Sequence, residues 1–256
     1  MEFIQHTCKE DKAYILPIGD IHIGDSAFGR NGKRKLLENL DWAKEHEDVT
    51  RIVLMGDIFN IASRSSKTSP YGTNTQEIVE GIDIFRPYAS LILGAIRGNH
   101  EHRLVDSHGF DPTEIFCKAL DIPYLGISGL VKLRVGSRDD NADWCQQTYY
   151  MAIHHTTGGG GKLGNALSGV EKFSQIIPGC DVYAGGHNHQ LVSGVREHYV
   201  PTASGPKMMK AHFVSCGSYL DYPDSYAEEK LYIPGKLGSP RIRFSGTPHR
   251  DVHISI

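Results

Sequence analysis

The chain has little that would mark it as secreted, membrane-spanning or cross-linked. Its five cysteines are an odd number, lie far apart and form no CxxC pair, so neither a disulfide framework nor a thiolate zinc site is indicated. The first residues, MEFIQHTCKEDK, lack the charged start and apolar stretch of a secretory signal, and no apolar run approaches the roughly 20 residues of a membrane span. We therefore expect a soluble cytoplasmic protein.

The chain also lacks a basic excess. Lysine and arginine together number 27, against 30 aspartates and glutamates, and the formal net charge is −3. Because non-specific binding to duplex nucleic acid usually requires a basic excess or a basic face, any such contact has to be local. A length of 256 residues suits one large domain better than two, so a single domain over residues 1–256 is expected.

Apolar runs predict an α/β fold. Residues 13–18, 51–55 and 91–96 read as buried strands, and apolar residues recur at helical spacing within 36–43 and 78–85. The first half is therefore predicted to be βαβαβ with a mostly parallel sheet. Strands at 130–135, 148–153 and 181–184, a helix at 165–177 and a β-rich completion at 191–256 are predicted to follow, around a motif core at 14–190.

Five of the apolar runs end in clusters of polar residues. The clusters are Asp20-Ile21-His22, Gly56-Asp57, Gly98-Asn99-His100, His154-His155 and Gly186-His187-Asn188-His189. Strand carboxyl ends form one rim in an open α/β sheet, and D-x-H and H-x-H spacing puts two donors on one side of an extended segment. A set of carboxylate, imidazole and amide donors without cysteine suits Mn²⁺, the first choice, or Fe, Zn²⁺ or Ni²⁺. Seven donors indicate two ions that share a carboxylate.

In this order, the motifs D-x-H, G-D-x-x-N, G-N-H-E, a strand-end histidine and G-H-x-H resemble those of the calcineurin-like metallophosphoesterase superfamily, including small phage or prophage members. The resemblance implies a four-layer αββα sandwich with mixed β-sheets and a binuclear centre. One ion would be held by Asp20, His22, Asp57 and His189. The other would be held by Asp57, Asn99, His154 and His187, so that Asp57 bridges the two.

The resemblance also assigns roles to the residues around Asn99. His100 would stay off the metals and face the substrate, and Glu101 would orient the turn as a hydrogen-bond acceptor. Arg103 fits the pattern GNHExR of the protein-phosphatase branch, where the arginine contacts the phosphoryl group; a structural ion pair is the alternative. His155 is expected to lie behind the metal ligands or to face the substrate, and a ligand role is the alternative.

The implied activity is hydrolysis of phosphate mono- or diesters by in-line attack of a metal-bridging hydroxide. Protonated His100 would donate to the departing oxygen. The substrate would be a phosphate ester, with nucleotides and DNA among the candidates. Protein phosphatase activity is disfavoured, because that branch expects Asp-Arg-Gly after the second motif and this chain has Ile61-Ala62-Ser63.

Two other readings stay open. The stretches DIHIG and GDIF resemble the Mre11 and SbcD nuclease branch, which would act on DNA ends or single strands; the missing basic excess argues against it. A metal-binding interaction protein without catalysis is disfavoured because every predicted ligand is present together with His100. Two local features also have two interpretations each. The glycine run 158–161 with Lys162 is either a flap over the metals or a plain loop. Arg64–Lys67 with Tyr71 is either a patch that binds a polyanion or a solvated loop.

Overall fold

The computed structural model describes residues 1–61, 72–137, 146–157 and 165–256, and within these ranges two β-sheets pack face to face. Strands are numbered in chain order. One sheet runs β11 (Val252–Ser255), β10 (Arg241–Ser245), β2 (Lys12–Ile18), β3 (Thr50–Met55) and β4 (Ile92–Ile96). The other runs β1 (Glu2–Cys8), β5 (Ser128–Val135), β6 (Gln147–His154), β7 (Val182–Gly185), β9 (Gly205–Cys216) and β8 (Leu191–Thr202).

The predicted βαβαβ unit is confirmed. Strands β2, β3 and β4 are parallel neighbours, and α1 (Arg30–Glu45) and α2 (Asn74–Phe85) connect them, with a short 3-10 helix (Arg86–Leu91) leading into β4. Both sheets are mixed, because β10 pairs antiparallel with β2 and β5 pairs antiparallel with β6. The remaining helices are α3 (Asn99–His108), α4 (Pro112–Leu120), α5 (Ser168–Ile176) and α6 (Tyr226–Glu229).

Three apolar clusters show that the sandwich has four layers. The inner faces of the two sheets share one cluster, which includes Ile15, Val53, Met55, Val131, Met151 and Val214. The outer face of the first sheet packs on α1, α2 and α4 through residues that include Leu36, Phe85 and Phe116. The outer face of the second sheet packs on α5 through Ala152, Val170 and Phe173. This is the αββα order that the motifs imply.

Local sequence signals explain how the helices begin. Asp111 Oδ1 accepts hydrogen bonds from the backbone N–H groups of Thr113 and Glu114, and Pro112 occupies the first turn; both features stabilise the start of α4. At α1 the cap comes from a distant residue, since Asp221 Oδ2 accepts from the backbone N–H of Asn31.

No helix within the described ranges is long and apolar enough to cross a membrane.

Three features differ from the sequence-based expectation. Strand β1 is an additional edge strand that pairs parallel with β5; its alternation is mixed with polar residues, and Phe3 is exposed. The segment after Gly98, expected to be a sharp turn, is instead the first turn of helix α3. The C-terminal part is β-rich as predicted, but residues 191–216 form one long hairpin of twelve-residue strands rather than short separate segments.

Candidate metal centre

Polar side chains from five strand ends meet at one end of the sandwich. Asp20 and His22 follow β2, Asp57 follows β3, Asn99 opens α3 after β4, His155 follows β6, and His187 and His189 follow β7. We call these seven residues the ligand cluster. Five of them have left-handed backbone conformations, with φ values of 50° at Asp20, 53° at His22, 47° at Asp57, 77° at His187 and 55° at His189. Such conformations cost on the order of 1–3 kcal/mol each and concentrate at functional sites.

One half of the ligand cluster is formed by Asp20, His22 and His189, whose ligand atoms all lie within 4.8 Å of one another. The Nε2 atoms of His22 and His189 are 3.1 Å apart, and Nε2 of His189 is 3.5 Å from Oδ1 of Asp20. Asp20 is fully buried, and its carboxylate accepts the backbone N–H of His187 at 2.8 Å. The carboxylate is thereby tied to the loop that carries two of the imidazoles.

The other half is formed by Asp57, His155 and His187, also within 4.8 Å of one another, together with Asn99. Oδ1 of Asn99 lies 3.1 Å from Nε2 of His155 and 2.7 Å from Nδ1 of His187. Nε2 of His155 is 3.2 Å from Oδ2 of Asp57. An amide oxygen, a carboxylate and two imidazoles therefore face a common point.

Asp57 lies between the two halves. Its Oδ2 is 3.2 Å from Nε2 of His155 on one side and 3.8 Å from Nε2 of His22 on the other. Its second oxygen, Oδ1, accepts the backbone N–H of His100 at 2.8 Å, which fixes the orientation of the carboxylate. Of the side chains in the ligand cluster, this is the one with the geometry of a bridge.

The structure does not bring His154, the expected strand-end ligand, into the ligand cluster; His155 takes its position. Along β6 the residues of one parity, such as Met151, face the inter-sheet core, whereas those of the other parity, such as Ala152, face α5. His154 has the second parity, so its ring packs against Phe173 with centroids 5.0 Å apart. Its Nδ1 accepts the backbone N–H of Thr156 at 2.6 Å. Side chains alternate along a strand, so the next residue, His155, points inward.

The hydrogen-bond partner of His155 determines which ring nitrogen keeps its proton when the imidazole is neutral, as it is when it binds a metal ion. Nδ1 lies 2.8 Å from the carbonyl oxygen of Met55, which can only accept, so Nδ1 is the donor. Nε2 is thereby directed at the oxygens of Asp57 and Asn99. A backbone carbonyl that orients an imidazole in this way is typical of metal-binding histidines.

His100 is held by a similar bond. Its Nδ1 is 2.6 Å from the carbonyl oxygen of Asn60, so Nδ1 donates and Nε2 faces the ligand cluster, 3.9 Å from Oδ2 of Asp57. Its ring meets that of His22 edge-on, with centroids 4.4 Å apart. Nη1 of Arg103 lies 3.2 Å from the same Nδ1. Nη1 of Arg103 and Nδ1 of His100 both carry hydrogen, so neither can accept a hydrogen bond from the other. Arg103 therefore flanks the His100 ring rather than donating to it.

Glu101 organises the backbone behind the ligand cluster. This fully buried carboxylate accepts the backbone N–H groups of Gly98 at 2.8 Å and of Asp57 and Phe59 at 3.0 Å. It thereby joins the loop after β3 to the first turn of α3, an acceptor role like the one its motif implies. Gly98 is required at this junction, because a Cβ atom there would lie 2.1 Å from Oδ1 of Asp57.

The pKa shifts in the ligand cluster indicate that a positive charge is stabilised there. Burial raises the pKa of Asp20 to about 8, although His155 opposes this. Burial would also raise the pKa of Asp57, but His155, His100 and His22 hold it well below its usual range. The pKa of His155 rises to about 10 against the effect of burial, because the carboxylates of Asp57 and Asp20 stabilise its charged form. A cation between these oxygens is therefore favoured.

Several expectations concern residues at the margin of the site. Next to the site, His102 is half-buried on α3, with Nε2 3.3 Å from Oδ1 of Asp106. The glycine run 158–161, Lys162, the stretch 64–67 and Tyr71 lie outside the described residues. The sequence gives no prediction for the backbone carbonyls of Met55 and Asn60, which orient His155 and His100. No side-chain pattern in the sequence marks a carbonyl for such a role.

One comparison with known proteins, the match to a family model, agrees with this geometry. A family model described as calcineurin-like phosphoesterase matches residues 13–191, a range that includes the whole ligand cluster. No curated protein gives a significant match. Among solved structures, the chain is similar to one described as "Crystal structure of a putative diadenosine tetraphosphatase", with 11% sequence identity and a TM-score of 0.38 over 99% of this chain and 97% of that one.

Proposed function

Since this chain belongs to the calcineurin-like phosphoesterase family, we propose that it hydrolyses phosphate mono- or diesters at a centre of two divalent metal ions. The observation that carries the proposal is the convergence of seven donor side chains from five strand ends around the carboxylate of Asp57. The first ion would be held by Asp20, His22, Asp57 and His189. The second would be held by Asp57, Asn99, His155 and His187.

The donors present fit such ions. The Nε2 atoms of His22 and His189 approach within 3.1 Å, and burial lowers the pKa of both imidazoles, to about 4 at His189. Two neutral imidazoles whose nitrogens face each other and a buried carboxylate are well matched to a shared cation. The mixture of imidazole, carboxylate and amide suits Mn²⁺ first, with Fe, Zn²⁺ and Ni²⁺ as alternatives.

In the proposed reaction, the metal ions and the protein side chains would have different roles. When bound, a pair of divalent ions lowers the pKa of water and neutralises charge on the phosphoryl oxygens. In hydrolysis the water oxygen bonds to phosphorus, the P–O bond to the alcohol breaks, and the departing oxygen takes up a proton. His100 is proposed to supply that proton from Nε2, since its Nδ1 is bound to the carbonyl of Asn60. Arg103, which flanks this imidazole, is proposed to contact the phosphoryl oxygens.

Burial and Arg103 lower the pKa of the His100 imidazole, whereas Asp57 raises it. A bound phosphate ester adds negative charge close to this ring, and negative charge favours the protonated form. The proposed acid would therefore be charged chiefly in the substrate complex.

Metal analysis combined with three substrates tests the proposal. The purified protein, loaded with Mn²⁺, is expected to hold two ions per chain and to hydrolyse p-nitrophenyl phosphate, its bis ester or labelled single-stranded DNA. Asp57→Asn is expected to lose both metal and turnover, while Asp106→Asn, an exposed control on α3, keeps both. Two ions retained in Asp57→Asn would remove the bridging role. Two ions without turnover of any substrate would favour a metal-binding interaction protein, and turnover of DNA alone would favour a nuclease.

A further inference from the structure

The peptide group that joins Asn60 to Ile61 lies between two side chains from different helices, and we call it the linking peptide. Its carbonyl oxygen accepts a hydrogen bond from Nδ1 of His100, on α3, at 2.6 Å. Its N–H donates to Oε2 of Glu77, on α2, at 2.8 Å. Because a trans peptide group is planar, with its C=O and N–H pointing in opposite directions, a bond that fixes one end also directs the other. Glu77 and His100 are therefore connected through one rigid unit.

The backbone of Ile61 is strained in the orientation that the linking peptide requires. Its φ is 46°, in the left-handed region, which is an outlier for a β-branched residue. Strain of this kind persists only where the surroundings hold it in place, and it concentrates at functional sites. Ile61 is buried, so water does not replace Glu77 as the acceptor for its N–H. The hydrogen bond to Glu77 therefore stabilises the strained orientation.

The carboxyl group of Glu77 is itself held on two sides. Glu77 is buried and lies in the first turn of α2, where a helix favours an acidic side chain. Opposite the helix it packs on the loop after β2, since a Cβ atom added at Gly24 would lie 2.3 Å from Cδ of Glu77. The absence of a side chain at Gly24 leaves the space that the carboxyl group occupies. The acceptor of the linking peptide thus has little freedom to move.

The direction of Nε2 of His100 depends on the linking peptide. An imidazole can rotate about two side-chain bonds, and the bond to the carbonyl of Asn60 selects the orientation in which Nε2 lies 3.9 Å from Oδ2 of Asp57. Proton transfer requires the donor to lie within hydrogen-bond reach of the departing oxygen, so a small displacement of the ring is costly. A shift of the linking peptide would move the proposed proton donor while leaving every metal ligand in place.

We propose that Glu77 is a positioning residue for the proposed acid His100 and that it acts through the linking peptide. The inference rests on the proposed phosphoesterase function and adds to it a residue outside the five motifs. Among the described residues, none of the three groups that could hold a metal ion includes Glu77. The alternative is a purely structural role, in which Glu77 only stabilises the loop after β3.

A spectroscopic measurement that needs neither metal nor turnover gives the first test. In the EDTA-treated full chain, the Nδ1 proton of His100 is expected to give a downfield N–H signal, which His100→Ala removes. Glu77→Met keeps the volume of the side chain but cannot accept from Ile61, and it is expected to shift this signal upfield or abolish it. Glu77→Asp, which is one methylene shorter, should do the same. Glu77→Gln retains an acceptor oxygen and should keep the signal in place.

Two controls show that the effect is specific. The Nδ1 proton of His155, which is bonded to the carbonyl of Met55, should give a second signal that all folded variants retain. Ile78→Ala removes buried apolar contacts from the same helix and should leave both signals unchanged. A His100 signal that is the same in wild type, Glu77→Met and Glu77→Asp overturns the proposal.

Kinetics of the Mn²⁺-loaded enzyme give the second test. Glu77→Met is expected to keep two ions and to lose about tenfold to a hundredfold in kcat on aryl esters with poor leaving groups, with KM little changed, because the proton donor is displaced. In the His100→Ala background the same substitution should cause no further loss, since the group that Glu77 positions is gone. An equal loss in both backgrounds contradicts the inference. If no ester is hydrolysed while two ions are bound, the phosphoesterase proposal fails and the NMR result decides the role of Glu77 separately.

Discussion

Nε2 of His155 lies 3.2 Å from Oδ2 of Asp57. The contact joins the two sheets, since His155 follows β6 of one sheet and Asp57 follows β3 of the other. Because Nδ1 of His155 already donates to the carbonyl of Met55, Nε2 is the nitrogen available for a cation. The centre therefore depends on the correct packing of the two sheets as well as on the motifs within each.

The pair His154 and His155 provides a direct test of the ligand assignment. His155→Ala is expected to lower the metal content by at least one ion per chain, because it removes a donor next to the carboxylate of Asp57, the proposed bridge. His154→Ala is expected to retain two ions and to lose about 1–2 kcal/mol of stability, since the bond from the Thr156 backbone and the ring packing against Phe173 disappear. Plasma mass spectrometry of the dialysed proteins gives the metal counts. Loss of metal from His154→Ala alone would reverse the assignment.

This pair also shows where sequence reasoning reached its limit. Asp20, Asp57 and Asn99 could be picked out because each follows an apolar run at the carboxyl end of a strand. The same rule selected His154 over His155, although strand parity decides which of them points inward. Parity could not be read from the sequence, because β6 is apolar on both faces: Met151 packs between the sheets and Ala152 packs under α5.

Other features escaped prediction for different physical reasons. Strand β1 is an edge strand, and its alternation is blurred by exposed residues such as Phe3. The sequence of the long β8–β9 hairpin predicts short separate segments, because glycine and proline interrupt it. By contrast, the parallel unit from β2 to β4 was predictable, since its strands are short continuous apolar runs separated by amphipathic helices.

Removal of the His100 imidazole is expected to separate catalysis from metal binding. His100→Ala should keep two ions and lose on the order of 10² to 10⁴ in turnover, because the proposed proton donor is missing. The loss should be largest for esters with poor leaving groups, which need the proton most. Rates on a series of aryl esters with increasing leaving-group pKa check this. A uniform loss across the series would rule out the role of His100 as an acid.

Gly98→Ala is expected to damage the centre by steric overlap alone. The backbone at Gly98 is extended, but the new Cβ atom would meet Oδ1 of Asp57 at 2.1 Å, so the Asp57 carboxylate must move. We expect a loss of about 1–3 kcal/mol in the free energy of unfolding and a fall in metal content. Gly109→Ala is the control: it strains a left-handed backbone with no atom within 4 Å of the new Cβ and should keep both ions. Urea titration and metal analysis measure the two effects.

The buried carboxyl group of Glu77 predicts a pH dependence of stability. Its Oε2 accepts the backbone N–H of Ile61 at 2.8 Å, and burial raises its pKa from an ordinary 4.5 to about 7. Between these values the folded chain holds a proton that the unfolded chain releases, so this group makes stability fall as the pH rises from 4.5 to 7.

Glu77→Gln removes this contribution. Relative to wild type, the free energy of unfolding of the variant should increase as the pH rises from 5 to 8, by on the order of 1–2 kcal/mol once solvent screening is allowed for. Urea unfolding of both proteins at the two pH values provides the measurement. A difference between wild type and variant that does not change with pH would contradict the raised pKa.

The left-handed residues of the ligand cluster limit how this scaffold could be redesigned. Asparagine, aspartate and histidine are the residue types other than glycine that best tolerate φ near +50°. They are also donors for borderline and hard ions, so backbone handedness and coordination preference select the same side chains. Exchanging Asp20, His22 or Asp57 for cysteine would violate both requirements at once. Variants evolved towards softer metals should therefore gain thiolates at positions such as Asn99 or His155, outside the left-handed set.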